Sequence, residues 1–140
     1  MAGEGTMRFE ICAPGRELVE LEVQEAAVPG EAGVFTVYPG HTALLSTLLP
    51  GVLVAHDSTG ALHYFAVHGG IAEVRDGALT ILADTFEPQD DINIERAQAA
   101  EERAQERLKK PPEDMAWDRA EAALARAIAR IRARNGHGYH

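Results

Sequence analysis

The sequence has little that would support thiol chemistry or a membrane span. Among its 140 residues there is one cysteine, Cys12. A single cysteine forms neither a disulfide within the chain nor a multi-thiolate zinc site, so Cys12 is best interpreted as a small apolar strand residue. No apolar run approaches the roughly 20 residues of a membrane-spanning helix. The beginning, MAGEGTMRFE, resembles neither a secretory signal nor a transit peptide. We expect a cytosolic protein with a reduced thiol.

The usual signatures of an active site are also missing. There is no P-loop, no G-x-S-x-G motif, and no histidine pair with the spacing of a helical metal site. His63 and His68 are five positions apart, and a metal could join them if adjoining strands brought them together. Histidines beside aromatic residues in strands are more often partly exposed sheet residues. A metal-dependent enzyme is therefore an alternative that the spacing does not support.

Positive charge is scarce in the first part of the chain. The formal net charge is -9, which argues against nucleic acid as a partner. Residues 1–88 contain 3 basic and 12 acidic residues, whereas residues 89–140 contain 10 of each. This change of composition predicts two domains with different functions, with a boundary after Pro88.

The first domain has the pattern of a β protein. Its apolar residues alternate with period two over short segments that Pro-Gly, Gly-Gly and Asp-Gly turns separate. Many short strands at regular spacing predict an antiparallel sandwich or barrel. The predicted strands are MRFEICA, ELVELEVQEAAV, VFTV, TALLSTL, GVLVAH, ALHYFAV, GIAEVR and ALTILAD.

The second domain has the period of amphipathic helices. Asp90 and Asp91 are expected to cap the first helix, and Pro111-Pro112 to end it. A second helix is expected to start near Glu113-Asp114, and the short connection predicts an antiparallel hairpin. The apolar faces are Ile94, Ala97, Ala100, Ala104 and Leu108 in the first helix, and Trp117, Ala120, Leu124, Ala127 and Ile131 in the second.

Alanine dominates both apolar faces of the hairpin. Alanine buries little apolar area, and the stabilisation scales at about 25 cal/mol per Å². We therefore expect weak packing, and an arm that can exchange partners. A permanently docked hairpin is the alternative, and it is the commoner fate of such helix pairs.

Arginines repeat along both helices. Arg126, Arg130 and Arg134 are spaced by four residues, and Arg96 and Arg103 by seven. Like charges at such spacing repel one another, so a folded hairpin could gather them around an anion, which suits guanidinium groups. A solvated face relieved by neighbouring acidic residues explains the pattern equally well.

Four segments together resemble a known family. In chain order they are VPGEAGVFTVYPGHTALLSTLLPG, HYFAVHGGIAEV, LTILADTFEP and DDINIERAQAAEERA. They are similar to the epsilon subunit of F-type ATP synthase, called delta in mitochondria, over about Met7 to Arg134. The resemblance implies a mainly β plus α fold, in which a ten-stranded antiparallel β-sandwich precedes an antiparallel two-helix hairpin.

The resemblance also implies a function. It implies a non-catalytic rotor subunit whose sandwich contacts the gamma subunit and the c-ring loops at the foot of the central stalk. It implies that the folded arm permits turnover and that the extended arm inhibits ATP hydrolysis. We expect Arg126, Arg130 and Arg134 of the extended arm to face the alpha and beta subunits. No metal and no catalytic residue are implied. The expected location is the cytoplasmic face of the bacterial inner membrane, attached through the complex.

The segment YPGHTALL matches the family's P-G-H turn. The resemblance makes His41 an interface residue at the c-ring, together with Tyr38 and the acidic Glu31. The sequence departs from the family pattern near this turn. The departures are Val34, Thr36, Ala43 and Leu49.

The family's nucleotide motif, I/L-D-x-x-R-A, matches the segment that begins at Ile92. Arg96 and the alanine after it match, while Asn93 stands in place of the aspartate. The resemblance makes ATP a hypothetical regulatory ligand, with weaker binding or none because of Asn93. The remaining implied ligands are Glu87, Arg103, Arg126 and Arg130.

A different class of function also fits the bare pattern. A free-standing β-sandwich that senses a ligand beneath a helical lid would show the same two domains. Co-purification with gamma would separate the two hypotheses, because only a stalk subunit should bind it.

Overall fold

The computed structural model describes residues 5–111 and 116–138, and these residues form nine strands and two α-helices. A 3₁₀ turn at Gln89–Asp91 joins the strands to the helices. The strands are β1 (Met7–Cys12), β2 (Val19–Gly30), β3 (Gly33–Val37), β4 (Leu44–Leu48), β5 (Gly51–Asp57), β6 (Leu62–Val67), β7 (Gly70–Arg75), β8 (Ala78–Ala83) and β9 (Phe86–Pro88). The helices are α1 (Ile94–Lys109) and α2 (Trp117–Arg134).

Strand β2 belongs to both layers of the sandwich. Its first half pairs with β1, and its second half pairs with β3 and β5. The pairing with β5 begins at Val23 and has a break in register between Val23 and Glu25, and the last residue, Gly30, also pairs with Leu48 of β4. One layer is therefore β4-β7-β8-β1 with the start of β2, and the other is β3, the end of β2, β5, β6 and β9. A bulge that bends one long strand lets it serve two sheets.

Two details of the expected sandwich are wrong. The described residues contain nine strands instead of ten, and β2 is one continuous strand shared by both layers. The sandwich is also not wholly antiparallel, because β1 and β8 pair in parallel. These strands are distant in the sequence, so no hairpin constrains their relative direction.

The core lies between the two layers and follows from the alternation in the sequence. Inward-facing residues of each strand are buried, while their neighbours face outward. Each of the eight predicted segments contains a strand, but the short β9 was not predicted. The largest fully buried side chains include Phe9, Ile11, Leu53, Leu79, Ile81 and Phe86.

The N-terminus of α1 differs from the prediction. Asn93 is its N-cap, and its side-chain Oδ1 accepts a hydrogen bond at 3.0 Å from the backbone N–H of Arg96. Asp90 and Asp91 lie in the preceding 3₁₀ turn, so the prediction that they cap this helix is wrong. The helix ends at Lys109, two residues before Pro111, as predicted. The predicted second start near Glu113-Asp114 lies outside the described residues.

Helix α2 carries two buried faces. One is the predicted apolar face, of which Ala120 and Ala127 are buried, and α2 also packs on α1. The other, which the sequence analysis missed, places Ala129 and Ala133 in a cluster with Val52 of β5. Helix α1 packs mainly on α2, so α2 is the part of the arm that rests on the sandwich.

Candidate functional site

An open, polar cleft lies where the arm meets the end of β9. Its volume is about 350 Å³, near the lower end of the range for small-molecule sites, about 300–1,000 Å³. The lining comes from β9, the 3₁₀ turn, the start of α1 and one side chain of α2. The lining residues are Glu87, Asp91, Asn93, Arg96, Ala97, Ala100, Arg103 and Arg130.

The cleft has an excess of positive charge. Asp91 pairs with Arg16 at 2.5 Å, and the Arg16 guanidinium also lies 5.0 Å from the ring centroid of Phe86. Within residues 5–111 and 116–138, the guanidinium groups of Arg96 and Arg103 have no ion pair. Seven residues separate them, which is about two helical turns, so both lie on the same side of α1. Two uncompensated cations therefore face the cleft.

The third arginine of the cleft is bound by a carboxylate. Arg130 Nε donates a hydrogen bond to Glu87 Oε1 at 2.5 Å. The same oxygen lies 3.1 Å from His68 Nε2. A carboxylate only accepts, so His68 carries a proton on Nε2. The hydrogen bond from His68, followed by the bond and charge of Arg130, lowers the pKa of Glu87 to about 2, although burial opposes this change.

Two further arginines of α2, Arg134 and Arg126, differ in their contacts. Arg134 lies 3.6 Å from Asp90, and it donates to the carbonyl oxygen of Gln89 at 3.3 Å. The Gln89 side chain in turn donates to the Arg134 carbonyl at 3.2 Å. Arg126 does not line the cleft, and in the described part of the chain its guanidinium has no ion pair.

The structure thus brings together five of the six residues proposed for the nucleotide. Arg126 is the exception. His68 is the neighbour that sequence reasoning did not place at this site. The one signal in the sequence was the position of His68 at the end of a predicted strand, directly before the Gly69-Gly70 turn. The five residues are Glu87, Asn93, Arg96, Arg103 and Arg130.

The residues proposed for the c-ring contact lie at the two ends of β3. Glu31 precedes this strand, and Tyr38 and His41 follow it, so they are separated by about 17 Å of extended chain. The backbone N–H of His41 donates to the Tyr38 carbonyl oxygen at 3.1 Å and closes the turn, and His41 Nδ1 donates to the carbonyl oxygen of Thr42 at 2.7 Å. The charge of Glu25, and its hydrogen bond with the Tyr38 hydroxyl, raise the pKa of Tyr38. The interface role of these residues stays a prediction.

The histidines of the described residues do not converge on a metal site. His63 lies in β6 and bonds through Nε2 to Asp57 Oδ2 at 2.7 Å, whereas His68 bonds to Glu87. His63 lies within β6 and His68 directly follows the same strand, so the two histidines are not on adjoining strands. Within the described residues no group of three or more histidine, cysteine or acidic side chains could hold a metal ion. No helix in this part of the chain is long and apolar enough to cross a membrane.

Comparison with known families covers both domains. The family described as "ATP synthase, Delta/Epsilon chain, beta-sandwich domain" matches residues 6–89. The family described as "ATP synthase, Delta/Epsilon chain, long alpha-helix domain" matches residues 90–135. This chain belongs to the ATP synthase delta/epsilon family.

Individual delta/epsilon relatives agree with this assignment. An ATP synthase epsilon chain of Nitratidesulfovibrio vulgaris (strain DP4) is 40% identical over 131 residues, which are 94% of this chain and 97% of the relative. An epsilon chain of Syntrophomonas wolfei is 41% identical over 130 residues, with 93% and 95% covered. The fold is similar to a chain in the Euglena gracilis mitochondrial ATP synthase, with a TM-score of 0.78 and 23% identity over 89% of this chain and 79% of that one.

As a member of the delta/epsilon family, the chain is a non-catalytic subunit of the central stalk of F-type ATP synthase. The absence of active-site motifs from its sequence fits this assignment. Family membership also favours the stalk subunit over the free-standing ligand sensor that the sequence pattern left open.

Proposed function

We propose that the sandwich couples the gamma subunit to the c-ring, and that the arm restrains ATP hydrolysis by changing its place. Residues 1–88 would bind the rotor, and residues 89–140 would regulate. The observation that carries this proposal is the contact between α2 and the sandwich. Its buried cluster contains two alanines, Ala129 and Ala133, which bury little apolar area, and hydrogen bonds to Glu87 and Gln89 lie beside it.

The layer that does not touch the arm offers a surface for gamma. Ile71 of β7 and Leu82 of β8 are directly opposite one another and face outward. Leu45 of β4 lies diagonally across from Ile71 and is also exposed. The arm covers β5 and β6 in the other layer, so gamma could stay bound to this row while the arm moves. The turn at Tyr38 and His41, with Glu31 as the acidic contact, is our candidate for the c-ring loops.

The arginines of α2 would exchange partners when the arm extends. In the folded arm Glu87 holds Arg130, and Asp90 with Gln89 holds Arg134. Release of α2 exposes both guanidinium groups, which can then pair with acidic segments of the alpha and beta subunits. Arg126 has no such partner in the described sandwich and is available in either position.

The cationic cleft supports ATP as the regulatory ligand. Arg96 and Arg103 come from α1 and Arg130 from α2, so phosphates bound between them would cross-link the folded arm. A ligand that binds only the folded arm stabilises it by RT ln(1 + [L]/Kd), about 2.7 kcal/mol at a hundredfold excess over Kd. Arginines can balance the phosphates, so magnesium is not required. Asn93 lacks the carboxylate of the family motif, and we therefore expect weak binding.

This function would place the chain at the cytoplasmic face of the bacterial inner membrane. The attachment would be peripheral, through the other subunits of the complex. The sequence relatives described above are bacterial, which supports this location.

Co-purification with gamma tests the proposed docking surface. Leu82→Asp places a charge in the exposed apolar row and should abolish or strongly weaken capture of the chain by tagged gamma. Leu62→Asp is the matched control, because Leu62 and Leu82 are both 51% exposed but lie in different layers. Circular dichroism would show that both variants are folded. Equal capture of the two variants would contradict the proposal.

A further inference from the structure

One buried polar side chain lies directly beneath the contact between arm and sandwich. His68 follows strand β6, and its side chain is only 2% exposed. Its Nε2 lies 3.1 Å from Glu87 Oε1. Its other ring nitrogen, Nδ1, is buried and has no hydrogen-bond partner within the described residues. A buried imidazole with one unsatisfied nitrogen is costly to the fold, so a benefit elsewhere is expected.

The one hydrogen bond that the His68 side chain makes in the described structure is to the carboxylate that reaches the arm. Glu87 Oε1 accepts from His68 on the sandwich and from Arg130 Nε on α2. A glutamate in the middle of a three-residue edge strand has several rotamers to choose from. A hydrogen bond from a buried, immobile ring selects the rotamer that directs the carboxylate to the arm. The ion pair with Arg130 then forms with less loss of conformational entropy.

We propose that His68 is the positioning residue of a latch, in which the Glu87 carboxylate that His68 holds in place keeps Arg130, and with it α2, on the sandwich. The latch sets the fraction of molecules with a folded arm, and this inference rests on the movable arm of the proposed function. His68 does not contact the arm through any hydrogen bond of its own in the described structure, so it acts through Glu87. Its influence therefore requires Arg130.

Thiol labelling can measure how often the arm leaves the sandwich. Ala66 of β6 is fully buried in the cluster that contains Ala129 and Ala133 of α2. In the full-length chain with Cys12→Ser, a thiol introduced by Ala66→Cys would react with a soluble alkylating reagent only when α2 departs. Ala72→Cys is the matched control, because Ala72 is buried in the main core between the layers and reports opening of the sandwich itself.

Three variants separate the contributions of His68 and Arg130 to the latch. His68→Phe keeps a ring but removes the donor, His68→Gln keeps a donor, and Arg130→Ala removes the partner on α2. We expect His68→Phe to accelerate labelling at position 66 about tenfold, which corresponds to about 1.4 kcal/mol in the opening equilibrium. His68→Gln should restore much of the protection. Labelling at position 72 should not change.

The decisive comparison is the double variant. If His68 acts only through Glu87 and Arg130, His68→Phe adds nothing to Arg130→Ala, and the two effects are strongly non-additive. Additive effects, or no acceleration by His68→Phe, would overturn the latch while leaving the movable arm intact if Arg130→Ala alone accelerates labelling. Equal labelling rates at positions 66 and 72 in every variant would overturn the movable arm, and the latch with it.

Discussion

Glu87 and Arg130 are 43 positions apart in the sequence, and the Nε of Arg130 donates to the Glu87 carboxylate at 2.5 Å. This contact joins the last strand of the sandwich to the second helix of the arm. It also neutralises one arginine of the cationic cleft. In the proposed function, the same pair therefore affects the stability of the folded arm, anion binding and inhibition.

The Glu87 contact predicts a pH dependence. His68 and Arg130 lower the pKa of Glu87 from 4.5 to about 2 in the folded protein. The stabilisation is complete above pH 4.5, and it disappears as the pH falls from there towards 2, because the unfolded chain takes up the proton first. The Glu87 side chain is 26% exposed, so we expect its contacts to add about 2 kcal/mol to the free energy of unfolding above pH 4.5. Urea unfolding of wild type and Glu87→Gln should show a stability difference that shrinks between pH 5 and pH 3. A constant difference would contradict this prediction.

Nucleotide binding is testable by calorimetric titration with ATP. Asn93→Asp restores the carboxylate of the family motif and still offers an oxygen to cap α1, so it should bind more tightly than wild type. Arg103→Ala removes an uncompensated cation and should weaken binding at least tenfold. Arg126→Ala is the control outside the cleft and should bind like wild type. If wild type and Asn93→Asp both fail to bind at millimolar ATP, the arginines serve protein partners only.

The glycine at the start of β7 predicts a large loss of stability on substitution. Gly70 has φ 124°, and a Cβ there would overlap the Leu82 carbonyl oxygen and lie 2.7 Å from the Cα of Ala83. Gly70→Ala should lower the free energy of unfolding by about 3 kcal/mol or more. Gly60→Ala is the control, because φ is 96° but no atom lies within 4 Å of the added Cβ. It should cost about 1 kcal/mol from backbone strain alone. Equal losses in denaturant unfolding would show that the close packing at Gly70 is unimportant.

The sequence predicted the parts of the fold that depend on local patterns. Alternating apolar residues and Pro-Gly turns located eight strands, and the spacing of Arg96 and Arg103 indicated one cationic face on α1. Local sequence patterns indicate strands and helices because backbone geometry fixes the period at which side chains return to the same face.

Long-range contacts were beyond the sequence. The parallel pairing of β1 with β8 depends on how distant strands meet, and β9 is too short to show alternation. The second buried face of α2, with Ala129 and Ala133, is visible only once the sheet beneath it is known. The site was likewise incomplete without His68, whose hydrogen-bond partner is a carboxylate 19 positions away.

Hydrolysis assays of the assembled complex separate the two roles of the α2 arginines. Arg126 has no ion pair in the described part of the folded arm, so Arg126→Ala should relieve inhibition without loosening the arm. Arg134→Ala removes both a sandwich contact and an inhibitory contact, and its two effects should oppose one another. A faster rate of ATP hydrolysis for Arg126→Ala than for Arg134→Ala is the expected result. The reverse order would move the inhibitory contact away from Arg126.

The most direct measurement is the rate of ATP hydrolysis by the assembled complex that carries Glu87→Gln. This change weakens the contact that holds Arg130 on the sandwich, yet it leaves Arg126, Arg130 and Arg134 in place for the proposed contact with the catalytic subunits. The extended arm should then be more populated, and hydrolysis should be slower than in the wild-type complex. A rate equal to or above that of wild type would contradict the proposal that the folded arm is the permissive state and that Glu87 maintains it.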